Sequence, residues 1–275
     1  MEKNTIKWAM YLNYFVFAIL LNSVGIVILK AQRNYGVDEL EASILEAFKD
    51  LPIAIVSFLV ASFLPRIGYK RAMLIGLGLV YMACIVMYFG NSFATAKLLF
   101  ATVGVSFALI KVSVYSLIGT VTENQQEHNS LMSSIEGVFM IGIALAYFLF
   151  PAFNSETNPD AWLNVYWLLA GISGVSFAFL FLAKSENQVE VPGVNLLDDF
   201  RQMFQLMAKL LTIVFVISAF LFVMIEQGIM SWLPTFNSKV LHLPENISIM
   251  MASILAISLA VGRLAAGFLT KKINW

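Results

Sequence analysis

The stretch "ASFLPRIGYKRAML", residues 61–74, places Arg66, Lys70 and Arg71 within six residues, between two long apolar runs. In a chain that is 60% hydrophobic and only 12% charged, such a link needs a reason. Soluble domains carry roughly a quarter of their residues as charges. A chain of 275 residues with 23 Phe has too little polar surface to face water on all sides. Its surroundings must be lipid.

Apolar runs recur about eight times, each near the roughly 20 residues that a helix rising 1.5 Å per residue needs to cross about 30 Å of hydrocarbon. The expected spans are 8–30, 41–63, 72–90, 97–120, 130–150, 161–183, 208–233 and 247–270. The first follows only "MEKNTIK" and lacks a small-residue cleavage site, so it reads as a retained helix and not a signal peptide. A formal net charge of zero excludes a nucleic-acid partner held by bulk basicity. Cys84 is the single cysteine, which rules out an internal disulfide and a thiolate metal site.

Sorting the cations by alternate links puts Lys3, Lys7, Arg66, Lys70, Arg71, Lys184, Arg201, Lys209, Lys271 and Lys272 on one side, and Lys30, Arg33, Lys97 and Lys239 on the other. Cytoplasmic links carry the positive excess, so both termini are expected in the cytoplasm of a multi-pass protein of the bacterial inner (plasma) membrane. The opening link is short and basic because it stays inside. "TENQQEHN", 122–129, falls on the same side but carries no Lys or Arg. In "NLLDDFRQMFQLM", 195–207, Leu196, Leu197, Phe200, Met203, Phe204 and Met207 recur at helical spacing. Asn195 can cap this segment, and Asp198 and Asp199 suit the positive end of a helix dipole. It reads as an amphipathic helix on the inner membrane face, or else as an extension of span seven.

Internal repetition supports a larger plan. "FAILLNSVG" at 17–25 resembles "FLFVMIEQG" at 220–228, and "ASFLPRI" at 61–67 resembles "AGFLTKK" at 266–272, with offsets of 203 and 205. Spans seven and eight thus repeat spans one and two. The expected organisation is a six-helix bundle over 1–184, a cytoplasmic linker over 185–207, and the first two helices of a second bundle over 208–275. A parent of about 400 residues and twelve spans follows from that repeat. The chain, ending at "KKINW", is therefore expected to lack a C-terminal half, a natural eight-helix protein being the alternative.

"ASFLPRIGYKR" looks like the signature between helices two and three of the major facilitator superfamily, whose pattern is Gly, three residues, Asp-Arg, one residue, Gly-Arg-Lys/Arg. Arg66, Gly68 and Lys70 or Arg71 fit it, Ala61 stands for the Gly and Pro65 for the Asp. "RIGYKRAMLIGL", with "EQGIMSWLP" and "GRLAAGFL", is most similar to the fucose and glucose/galactose proton symporter branch. The resemblance implies an all-α polytopic membrane protein that moves a small polar solute, a sugar, together with protons by alternating access. It also implies that helices one, four and seven line the central cavity, which makes Asn22, Lys111 and Glu226 the substrate-facing candidates. The family's Asp belongs to a cytoplasmic gate latch, and Pro65 removes the usual version of it.

Read physically, Gly68 can take φ > 0 and Pro65 stops the preceding helix. The cations can meet anionic headgroups or helix C-termini on the neighbouring bundle. Arg66, Gly68, Lys70 and Arg71 are thus candidates for a gating loop, the plainer reading being that they fix orientation only.

An ionisable residue within a span costs about 2.5–3.5 kcal/mol on insertion scales and is a functional candidate by default. Glu46, Lys49, Asp50, Lys111, Glu136, Glu226 and Arg263 qualify. Lys111 and Glu136 lie at similar heights above the inner ends of spans four and five, so a buried pair is one reading of Lys111. A cavity-facing ammonium for an anionic or hydroxyl-rich substrate is the second, and snorkelling to the interface the third. Glu226, with no cation near it in its own span and Asn22–Ser23 at the repeat-related place, is the first candidate for proton coupling, followed by Asp50 and Glu136. Trp232, near the expected outer end of span seven, is an interfacial anchor or a sugar-stacking platform. Glu46 and Lys49, three residues apart, are expected to pair and leave Asp50 unpaired. Arg263 and its small neighbours suit close helix packing.

There is no G-x-S-x-G, H-E-x-x-H or phosphate loop, and no cofactor or metal is expected. The chain is therefore not read as an enzyme. Span five lacks the Gly/Pro-rich stretch of facilitator drug antiporters, which favours a symporter. A non-transporting receptor or scaffold of the same ancestry, or an inactive fragment, is the competing reading. "NIS" at 246–248 fits an N-glycosylation acceptor and is equally explained by chance.

Overall fold

The computed structural model describes residues 2–155, 157–183, 205 and 209–270. The expected amphipathic helix at 195–207 lies outside the described residues except for residue 205, as do 184 and "KKINW" at 271–275. The described elements are helical throughout: α1 (Glu2–Asn22), α2 (Val24–Asn34), α3 (Glu39–Ile67), α4 (Tyr69–Gly90), α5 (Phe93–Val121), α6 (Gln125–Ala152), a 3-10 turn at Ala161–Leu163, α7 (Asn164–Leu182), α8 (Leu210–Lys239) and α9 (Glu245–Thr270).

The first expected span is two helices, α1 and α2, bent by 42°. The side chains at the break explain it. Asn22 Nδ2 donates to Ala18 O at 2.8 Å and Ser23 Oγ to Leu20 O at 2.8 Å. Polar side chains that bond back into the preceding turn compete with the backbone ladder and bend the helix. Among the described residues six further helices, α4 to α9, are long and apolar enough to cross a membrane, and the bent pair makes a seventh. α3, which holds the expected span 41–63, is 29 residues long but carries Glu39, Glu41, Glu46, Lys49 and Asp50 in its first half and is not among them.

Local chemistry sets the helix ends. Asp38 caps α3 by accepting from Glu41 N at 2.7 Å, Ser92 and Thr95 form a capping box on α5, and Asn124 caps α6 by accepting from Glu127 N at 2.8 Å. The 61–74 link contracts to a single residue, Gly68, at φ 89°. Pro65 does not stop α3, as its residue type suggested: the helix continues to Ile67. A proline in the last turn is tolerated there, and the reversal is made by the residue without a Cβ.

α3 packs on α5, α4 on α5 and α7, and α1 on α6 and α7. Tyr14, Phe17, Phe100, Tyr147, Phe150 and Trp162 are fully buried between them. Lys7 Nζ donates to Glu127 Oε1 at 2.8 Å, so the "TENQQEHN" link, which has no Lys or Arg, sits at the same end as the start of α1 and the Gly68 reversal. This is the basic end, and the opposite one is the far end. At the basic end Lys70 Nζ donates to the Phe181 carbonyl at 3.1 Å and also to that of Ala183. It thereby caps α7. Arg71 is exposed. Of Arg66 only the backbone, within α3, is described.

Candidate functional site

Phe107, Lys111 and Tyr115 recur every fourth residue on α5 and so share one face. Opposite them, α1 supplies Tyr14 and Phe17, and α6 supplies Glu136 and Phe139. The Tyr14 ring lies 6.4 Å from Phe107, 6.3 Å from Tyr115 and 5.7 Å from Phe139, while Phe17 and Phe139 stack on Phe107 at 5.9 and 6.1 Å. The result is a wall of rings with a polar rim. Tyr115 Oη donates to Glu136 Oε1 at 2.5 Å, and Lys111 Nζ stands 5.7 Å from the centre of the Phe107 ring.

The expected Lys111–Glu136 pair does not form. Side chains lean toward the N-terminus of their helix. On antiparallel α5 and α6 that lean runs in opposite directions, so Glu136 meets a residue one turn closer to the basic end than Lys111. That residue is Tyr115. Lys111 is exposed, and its described contact is the ring of Phe107.

The acidic half of α3 also pairs differently. Lys49, only 4% exposed, reaches Asp50 Oδ1 at 3.4 Å, while Glu46 Oε1 is buried without a hydrogen-bond partner. Lys49 belongs to the α3–α5 contact: a Cβ added at Gly104 would stand 2.3 Å from its carbonyl oxygen. With its backbone set against α5 there and its side chain buried, its ammonium joins the neighbouring, exposed Asp50. Asp50 is therefore not the unpaired charge of this helix.

Asn22 is half-buried at the α1–α2 bend, with its amide bonded to Ala18. Glu226 is half-buried near the middle of α8, which runs to Lys239 and not to 233. That extension puts Trp232 two turns inside the helix end, where it packs against the core.

A second constellation, at the far end, was not singled out by the sequence. Arg33 Nη1 meets Glu245 Oε2 at 2.7 Å, its Nη2 donates to Ser238 Oγ at 2.6 Å, and Lys30 pairs with the other oxygen of Glu245. Lys239 pairs with Glu39, and Asn154 bonds to Asn246 of the "NIS" triplet. Nearby, α2 and α8 approach so closely that a Cβ on Gly25 would lie 2.4 Å from Ser231 O. Tyr35, in the link after α2, donates to Asn91 Oδ1 at 3.0 Å. Burial, then the Asp160 carboxylate, push its phenol up to about 12, so it remains a donor at neutral pH. By contrast, most of α8 from 210 to 225, toward the basic end, is exposed. The two late helices thus meet the others at the far end, and α8 is exposed toward the basic end. The spacing of Lys30 and Arg33, three apart on one helix, was the available signal for this latch. The every-fourth-residue row on α5 was the signal for Tyr115 and Phe107.

Apolar helices joined by short links, a glycine reversal at the basic end and a polar-rimmed aromatic cradle between helices define a polytopic membrane protein of the transporter type. Residues 10–275 match the Major Facilitator Superfamily, and the chain belongs to that family. In fold it is similar to the crystal structure of a D-xylose-proton symporter, with a TM-score of 0.67 at 13% identity over 98% of this chain and 69% of that one. No curated protein matches the chain in sequence.

Proposed function

We propose that this protein is a secondary active transporter that carries a small polar solute, a sugar or sugar acid, together with protons across the bacterial inner membrane by alternating access. The observation that carries the reading is the cradle: Lys111, Tyr115 and Glu136 present charge and hydroxyl to the rim of a wall of rings built by three helices. The rings are packed in the core and hold the rim in place, while the exposed Lys111 and the half-buried Tyr115 and Glu136 offer a charge and hydrogen-bonding groups that can orient a solute's hydroxyls. The family and the fold shared with a D-xylose-proton symporter support transport and proton coupling.

In this reading Asn22, Lys111, Glu226 and Trp232 contact the solute, and Glu226 carries the coupled proton, with Glu136 and Asp50 as the further acidic candidates. The basic end is cytoplasmic and holds both termini, in keeping with the positive-inside rule. The helices of 1–184 move against those of 208–275 about the 185–207 linker. Arg66, Gly68, Lys70 and Arg71 form the link whose movement accompanies opening, with Lys70 holding the end of α7. The far-end contacts, with α8 exposed toward the basic end, correspond to a carrier closed outside.

The test is uptake of labelled hexoses and hexuronates into proteoliposomes, with and without an inward proton gradient. Accumulation that needs the gradient and collapses with a protonophore is expected. Uptake no greater than that of protein-free vesicles for every solute would overturn the reading.

A further inference from the structure

We infer that the solute is a monoanion, a polyhydroxy carboxylate of the hexuronate class, whose carboxylate is bound by Lys111. The inference rests on the transporter reading above and narrows its substrate.

Lys111 is exposed on the cradle face of α5, about 15 Å in from the Val121 end at 1.5 Å per residue. An ammonium at such depth calls for a counter-charge. Among the described residues it has no carboxylate partner. The nearest acid by depth, Glu136, is taken by Tyr115 at 2.5 Å. The Phe107 ring at 5.7 Å offers a quadrupole and no charge. The rim therefore presents an ammonium without an ion-pair partner among the described residues, one turn from a tyrosine hydrogen-bonded to a carboxylate.

The cations carried by the helices that build the cradle bear on the charge of the ligand. α6 contains no Lys or Arg, α5 has only Lys97 besides Lys111, and the cations of α1 and α2 are Lys3, Lys7, Lys30 and Arg33, near the two ends of that span. A single ammonium is a point charge suited to one carboxylate, whereas dianionic phosphate is commonly gripped by several donors or by the fork of an arginine. Glu136, across the rim, disfavours a second negative charge. One turn along α5, about 6 Å away, Tyr115 and Glu136 can exchange hydrogen bonds with hydroxyls. A carboxylate at one end and hydroxyls at the other is the pattern this spacing accepts.

The test uses the purified chain in detergent and in proteoliposomes, with D-glucuronate and D-galacturonate against D-glucose and D-galactose as probes. Binding is read by calorimetry and uptake by label. The acids are expected to bind and to be carried in preference to the hexoses. Lys111→Gln should lower the acid-over-hexose ratio about ten- to hundredfold, as expected for loss of a charged hydrogen bond, while Lys111→Arg keeps most of it. Uptake of hexoses with no preference for acids overturns the anion site and leaves the transport reading standing. Binding of acids without uptake does the reverse. An acid-over-hexose ratio unmoved by Lys111→Gln also overturns the assignment, and neither binding nor uptake of any probe overturns both.

Discussion

Tyr115 donates to Glu136 at 2.5 Å and so stands between that carboxylate and Lys111, one helical turn away. The Glu136 carboxylate is thereby hydrogen-bonded by a phenol and forms no ion pair with Lys111. The consequence is measurable. Tyr115→Phe and Glu136→Gln should couple by about 0.5–3 kcal/mol in a double-mutant cycle read by unfolding in detergent. Lys111→Ala and Glu136→Ala should add within about 0.5 kcal/mol. Recovery of stability in the latter double variant would restore a Lys111–Glu136 pair.

Proton coupling through Glu226 is tested by Glu226→Gln, which keeps size and hydrogen bonding but cannot ionise. Gradient-driven accumulation should be abolished. Exchange of labelled for unlabelled solute should survive, because exchange reorients the loaded carrier without a net proton cycle. Undiminished accumulation would move the coupling role to Glu136 or Asp50, and loss of both activities would place Glu226 in solute binding or folding.

The far-end latch is uneven in strength. Lys30 is 5% exposed, so Glu245→Ala leaves a buried ammonium without its carboxylate, at a cost of about 3 kcal/mol to the closed arrangement. Arg33 is exposed, and Arg33→Ala should cost about 1 kcal/mol or less. In a Cys84→Ala, Ser231→Cys background, maleimide labelling at position 231 should rise strongly with Glu245→Ala and little with Arg33→Ala. Equal labelling in the two would show that the latch is not held by the buried pair.

At the basic end, Lys70→Met removes the donor from the last carbonyls of α7 and should lower stability by about 0.3–1 kcal/mol. Arg71→Met, on an exposed side chain, should stay within about 0.5 kcal/mol. A gating role for this link predicts something further: a transport rate that falls in either variant by more than its change in melting temperature explains. Rates that follow stability alone would leave the cations as caps and orientation signals.

The helices themselves were legible because the signals for them are local. A run of about 20 apolar residues, an Asp or Ser ahead of it and a glycine at a reversal act through the solvent or through neighbours in the chain. The basic 61–74 stretch pointed to the Major Facilitator Superfamily, and residues 10–275 match that family. What sequence alone left open was pairing. Lys49 has an acid at three residues' distance and takes the adjacent one, its side chain buried where α3 packs its backbone against α5 at Gly104. Glu136 has a lysine at its own depth and takes a tyrosine, because side chains on antiparallel helices lean in opposite directions. Glu245 becomes the centre of the far-end latch only when α9 is laid beside α2. Hydropathy and charge bias decide whether a segment enters the membrane and suggest which way it runs. Partners depend on the rotation, tilt and contact distance of whole helices, which are set by the summed packing of many side chains and so exist only in the assembled bundle.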